Sequence, residues 1–237
     1  MPPLDRTPRR CSHVLLRVAD LAAAVANFET AGFTVTFASR RESARHAHIW
    51  FRSGPIIELL DPPARAGLYR VPLELAFGRG AGRRMIRWAR QPEGFCDAAV
   101  LVDSPDLGEQ RAALAQAGVP TGRAVRWTRR REDGESTRFQ FSYPRNDRLP
   151  FLVTPYSPAQ HPPDVRHVNG ATALSRVVLG VRPDDRAALL AVTGSDPTFL
   201  LEEAAVTGVR AIELDGLRQS LDPGLLHGAV IRPRSST

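Results

Sequence analysis

Lysine is absent from this chain. All 32 basic residues among its 237 are arginines, set against 25 acidic ones for a formal net charge of +7. A basic balance raises the question of nucleic acid or an anionic membrane surface. Arginines do cluster, at Arg40-Arg41 with Arg45, at Arg83-Arg84 with Arg87 and Arg90, and at Arg126 with Arg129-Arg130-Arg131. No zinc-finger spacing, basic zipper or RNA-binding aromatic signature accompanies them. Arginine therefore reads as the general surface cation, and nucleic acid as a partner is not expected. Cysteine is scarce: Cys11 and Cys96 cannot form a disulfide framework, which makes the cytoplasm the default compartment. No run nears the roughly 18 apolar residues that would cross a bilayer, so no membrane partner is expected. The opening Met1-Pro2-Pro3-Leu4-Asp5-Arg6 lacks the layout of a signal peptide. Phosphate loop, dinucleotide fingerprint and nucleophile elbow are missing too.

What is present is ordinary globular composition, 43% hydrophobic and 24% charged. His13 to Val18 forms a short, mostly apolar strand. Asp20 follows as an N-cap, and Leu21 to Phe28 carries apolar residues at helical spacing up to the stop at Ala31-Gly32. Phe33 to Phe37 alternates as a strand, and His46–Phe51 and Ile56–Leu60 read as two more, joined by the turn Arg52-Ser53-Gly54-Pro55. The order then recurs. Phe95 to Val102 reads as a strand, and Asp106-Leu107 opens a helix that ends at Ala117-Gly118-Val119, with the same spacing as from Asp20-Leu21 to Ala31-Gly32-Phe33. Strands follow near 123–128, 136–143 and 149–154. A shorter copy starts at Arg176 to Val181, with Asp184 as cap and strands near 209–214 and 226–231. The organisation expected is a first module over 1–62, a connecting segment over 63–94 and a second module over 95–155. A Pro-rich linker over 156–173 then leads to a third, shorter module over 174–237.

A repeated strand–helix–three-strand unit, with His opening the first strand and Glu inside the last, resembles the vicinal oxygen chelate superfamily of glyoxalases, bleomycin-resistance proteins and extradiol dioxygenases. The residues that carry the resemblance are His13 to Leu21, Ile57-Glu58-Leu59-Leu60, Arg130 to Glu135, Leu149 to Val153, and His167 to Ala171. In that order they are similar to the bacterial glyoxalase-like domain branch. The resemblance implies an α+β fold of βαβββ modules forming a cup-shaped mixed sheet, with helices on the outside and any site inside the cup.

By resemblance, His13 and Glu58 would bind a divalent metal such as Zn, Mn, Fe, Ni or Co, since imidazole plus carboxylate does not choose among them. The metal would hold neighbouring substrate oxygens as a Lewis acid. The second module breaks the pattern: Ala99, or Asp97 with a two-residue gap, stands opposite His13, and Phe151 or Leu152, neither able to ligate, stands opposite Glu58. Asp97, His48 and His167 are the remaining candidates for a third ligand. Without a metal, His13 reads as a strand-end histidine bonded to backbone. Glu58, flanked by Ile56, Ile57, Leu59 and Leu60, needs a partner in any case, because a buried unpaired charge is costly. That partner is a metal, His13 or an arginine.

His46, His48 and Trp50 alternate on one strand. They either line the cup, with His48 or His46 moving protons and Trp50 and His46 touching substrate, or form an outward polar face beside a packed tryptophan. Asp133-Gly134 makes a hairpin bend, and Arg129 or Arg131 could reach over the cup to an anionic group unless the loop is merely solvated. Asn169-Gly170 reads as a turn with His167 exposed beside it. Cys96 reads as a small core residue. The resemblance implies one of two functions: a metal-dependent lyase, isomerase or dioxygenase with Glu58 and His48 catalytic and Arg131 orienting the substrate, or a metal-free small-molecule binder using the same cup. An open sheet edge favours a homodimer.

Overall fold

The first strand divides the molecule into two faces. In β1 (Arg9–Arg17), Val14 and Leu16 point one way into the main core, and His13 and Leu15 point the other. The computed structural model describes residues 8–63, 70–130 and 133–234. From β1 the chain runs through α1 (Leu21–Thr30), β2 (Thr36–Phe37), β3 (His46–Ile49) and β4 (Ile56–Leu60). Asp20 caps α1, its side chain accepting from the Ala23 N–H at 3.0 Å. The helix ends where Gly32 turns to φ +84°, and the Phe33 N–H reaches back to the Phe28 carbonyl at 3.0 Å. A Cβ on Gly32 would meet the Asn169 backbone nitrogen at 2.9 Å, so only glycine fits there.

After α2 (Arg70–Phe77) and α3 (Ala81–Arg90), the order repeats as β5 (Gly94–Val102), α4 (Gly108–Gln116), β6 (Val125–Arg130), β7 (Ser136–Ser142) and β8 (Phe151–Val153). The end of α4 copies the end of α1: Gly118 has φ +77°, and the Val119 N–H reaches the Leu114 carbonyl at 2.8 Å. Its start differs. Asp106 accepts from the Gly108 N–H instead of capping, and Leu107 takes the cap position.

Among the described residues, eight strands form one curled mixed sheet in the order β2-β3-β4-β1-β5-β8-β7-β6. β4 runs parallel to β1, β8 parallel to β5, and the two halves meet antiparallel along β1 and β5. Helices α1 and α4 lie on the convex face. A second sheet, in the order β10-β9-β11-β12, joins them in one core. It comprises β9 (Ala173–Val181), β10 (Phe199–Glu203), β11 (Gly208–Asp215) and β12 (Ile231–Pro233), with α5 (Arg186–Thr193) between β9 and β10.

This last unit is wired differently from the other two. The strand that follows α5 pairs parallel with β9 directly, whereas β2 and β6 go to the sheet edges. Asp184 sits in a 3-10 turn and Asp185 precedes α5 without capping it. The chain expected to be strand from 226 is strand only from Ile231 to Pro233, and residues 33–35 stay outside β2.

The segment read as a connector holds two helices, and both cover part of the concave face. Helix α3 carries a fully buried arginine, Arg84. Asp97 on β5 answers it, accepting from Arg84 Nη1 at 2.5 Å, Arg87 Nη2 at 2.9 Å and Trp88 Nε1 at 2.8 Å. Arg84 also donates to the Leu149 carbonyl at 2.8 Å. Charge is buried here only because every partner is in place. By contrast, α2 has no fully buried residue, and Leu75 is 73% exposed. Asp97→Asn should destabilise the fold by about 3–5 kcal/mol, because it strands the Arg84 charge. Urea unfolding measures this, and a loss below about 1 kcal/mol would mean the network does not hold α3.

Candidate functional site

Strand alternation sends His13, Glu58, His46 and His48 toward the concave side. Glu58 lies directly across from His48 in the β3–β4 register and from Leu15 in the β1–β4 register. The Glu58 side chain is 5% exposed. His46 Nδ1 lies 2.6 Å from its Oε1, and His13 Nε2 lies 3.3 Å from its Oε2. His48 Nε2 is further away, at 3.7 Å. The fourth neighbour comes from the far edge of the sheet. Arg129 on β6 reaches across the cup, placing Nη2 at 3.4 Å from Glu58 Oε1 and Nη1 at 3.1 Å from His48 Nε2. The Phe139 ring lies 5.6 Å from its guanidinium carbon.

Burial acts to raise the Glu58 pKa, but the hydrogen bond from His46 and the Arg129 charge outweigh it, so the carboxyl stays well below its usual range. Burial pushes His13 down to about 4 and also lowers His48. A neutral His48 has a lone pair on Nε2 that can accept from Arg129.

Above this polar floor is a cavity of about 300 Å³. Its walls are Leu15, Leu60, Phe139, Phe141, Tyr143, Phe151, Val153 and Tyr156, with Trp127 beside them. Leu73 and Phe77 of α2 and Met85 and Trp88 of α3 form its roof. Burial raises the Tyr156 hydroxyl to about 12 and raises Tyr143 as well, so both stay protonated donors. The roof residues lie in what the sequence presented as a connector. Their signal was helical spacing within each helix, Leu73 to Phe77 in α2 and Ala81, Met85 and Trp88 in α3.

The structure brings His13, His46, His48 and Glu58 together. Trp50 sits apart from the cavity lining: it packs with Ile56 and Val165, its ring centroid 5.3 Å from that of His48. Arg131 lies outside the described residues, and it is Arg129 that meets Glu58. Of the further ligand candidates, Asp97 is committed to α3. His167 is buried rather than exposed: the Thr34 N–H donates to its Nδ1 at 2.9 Å, and its Nε2 lies 2.8 Å from the Trp50 carbonyl. It ties the Asn169-Gly170 turn to the first module. Cys96 is buried in the cluster beneath α3, as its apolar neighbours suggested.

A family model described as glyoxalase-like domain matches residues 11–193. The chain belongs to the glyoxalase-like domain family. That family is a branch of the vicinal oxygen chelate superfamily. No curated protein matches the chain in sequence. A hypothetical protein from Staphylococcus aureus shares the fold, with a TM-score of 0.68 at 12% identity over 94% of this chain and 98% of that one. The Mn(II)-bound glyoxalase from Novosphingobium aromaticivorans gives 0.52 at 13% identity, over 88% of this chain and 65% of that one. The 2,3-dioxygenase LapB from Pseudomonas sp. KL28 gives 0.51 at 10% identity, over 87% and 74%. At these identities the likeness is one of fold.

The donor set in this glyoxalase-like cup does not fit a divalent metal. Among the described residues, no group of three or more His, Cys, Asp or Glu side chains is arranged to hold one. In the second half, Ala99 takes the register position of His13, and Val153, not Phe151 or Leu152, takes that of Glu58; neither is a ligand. Arg129 adds a charge argument. A guanidinium already faces the lone pairs of Glu58 and His48, and a dication placed there would be repelled by it.

The neutral state of His13 sets a pH dependence. At pH 7 His13 is neutral folded or unfolded. Below about 6.5 the unfolded chain takes up the proton first, so stability falls with pH until the folded group titrates near 4. The loss is on the order of 3 kcal/mol. His48 and His167, also lowered, act with the same sign. Denaturant midpoints between pH 7 and 4 should drop in the native protein and drop less in His13→Gln. Equal slopes would assign the loss elsewhere.

Proposed function

We propose that this glyoxalase-like protein is a metal-free small-molecule binder, using its half-closed cup to hold a largely apolar ligand against one polar patch. The observation that carries the reading is the Arg129 guanidinium lying against Glu58 and His48, where a metal would need their lone pairs. Cavity size supports it: about 300 Å³ is at the lower end of the range for small-molecule sites. Aromatic walls with few convergent polar groups are the usual make-up of such a site. No helix among the described residues is long and apolar enough to cross a membrane.

The 2.6 Å contact between His46 and Glu58 favours a second reading, a lyase or isomerase that needs no metal. The carboxylate fixes the ring through Nδ1 and leaves Nε2 to exchange a proton with a bound molecule.

Two measurements test the binder. Protein purified without chelator and analysed by mass spectrometry should hold well under one equivalent of Zn, Mn, Fe, Ni and Co combined. Near-stoichiometric metal that disappears in Glu58→Ala would overturn the reading. Small aryl fragments should raise the melting temperature of the native protein. Val153→Trp, which fills the cup, should remove that rise.

A further inference from the structure

The polar patch has a charge balance that selects among ligands. Its one carboxylate, Glu58, is matched by its one guanidinium, Arg129, and both are largely shielded from water, at 5% and 15% side-chain exposure. His48 adds no charge, because its Nε2 lies 3.1 Å from Arg129 Nη1 as an acceptor, a role a protonated ring cannot fill. The groups of fixed charge in the patch are therefore balanced one to one. A ligand carboxylate in the cup would leave one buried negative charge in excess, close to Glu58, and burying an unmatched charge is costly.

Hydrogen-bonding capacity is left over on Arg129, Tyr143 and Tyr156, and all three can donate. Arg129 carries five N–H donors. Two face His48 and Glu58, and the others have no acceptor among the described residues. The hydroxyls of Tyr143 and Tyr156, both on the cavity wall, make no hydrogen bond with the described residues. Arg129 can only donate, and the two hydroxyls can donate as well as accept, so an acceptor on the ligand is a group that all three can meet.

We infer that the cup selects neutral carbonyl-bearing molecules with an aromatic body, such as aryl ketones, esters or amides, and rejects their carboxylate counterparts, with Glu58 as the residue that sets this charge preference. The carbonyl oxygen accepts from Arg129, and the ring lies among Phe141, Tyr143 and Phe151. The inference rests on the binding reading above and names its ligand class.

Four probes of nearly equal shape separate the terms: 4-phenylbutan-2-one, 3-phenylpropanamide, 3-phenylpropionate and butylbenzene. Trp88 and Trp127 line the cavity and report binding by fluorescence, with calorimetry as the check. In the native protein the ketone and the amide should bind at least about tenfold more tightly than both the carboxylate and the hydrocarbon. Glu58→Gln removes the negative charge and leaves Arg129 unmatched, so the preference should invert and the carboxylate should become the tightest of the four. A preference of the native protein for the carboxylate overturns the inference. So does an unchanged order in Glu58→Gln that retains the native circular dichroism spectrum. Should that variant not fold, the order in the native protein decides alone. Equal binding of all four overturns the charge and acceptor rule while the binding reading stands. Binding of none overturns both.

Discussion

A carboxylate at the bottom of an aromatic cup has to be neutralised, and here the chain does it with its own arginine. Most of the site follows from that requirement. Glu58 is one of five consecutive buried residues on β4, so it cannot turn to water. Its oxygens draw His46 and His13 inward and meet a guanidinium delivered from β6 at the opposite edge of the sheet. That reach also ties the two lips of the curled sheet together, since β6 lies at one edge while β3 and β4 lie near the other. Charge compensation and closure of the cup are one contact.

A second buried carboxylate does similar work on the other half. Asp97 faces two arginines and a tryptophan N–H from α3, and through them it holds half of the cavity roof in place. Each carboxylate sits on an inner strand, and each is answered by arginine. The arginines of this lysine-free chain are therefore not all surface cations. Arg84 and Arg129 are interior parts, and the planar fork of arginine suits them to bind several partners at once.

The βαβββ repeat was legible because its signals are local. Asp20 at the start of α1, and Gly32 and Gly118 at the ends of their helices, act through backbone geometry within a few residues. Glu58 was legible as a residue needing a partner, because a charge inside an apolar strand has only a few resolutions. Which partner it takes was not legible: Arg129 and Glu58 are 71 positions apart, and their contact depends on how far the sheet curls. The roof was missed for a related reason. Helix α3 is held less by apolar burial than by ions, and its partner Asp97 was read as a candidate metal ligand. His167 was misjudged because turn residues suggest exposure, yet the turn folds back onto Thr34 and Trp50.

The two halves of the eight-stranded sheet share one backbone plan and furnish its interior unequally. His13, His46 and Glu58 come from the first half and Arg129 reaches over to them, whereas the aromatic walls, Phe139, Phe141, Tyr143, Phe151 and Tyr156, come from the second half and the segment that follows it. A symmetric cup would accept an elongated guest in either of two opposite orientations. This one has a wet end and a greasy end, so reversing a bound molecule would put its polar group against aromatic faces and its ring against a carboxylate. The scaffold is nearly two-fold; its interior has a direction.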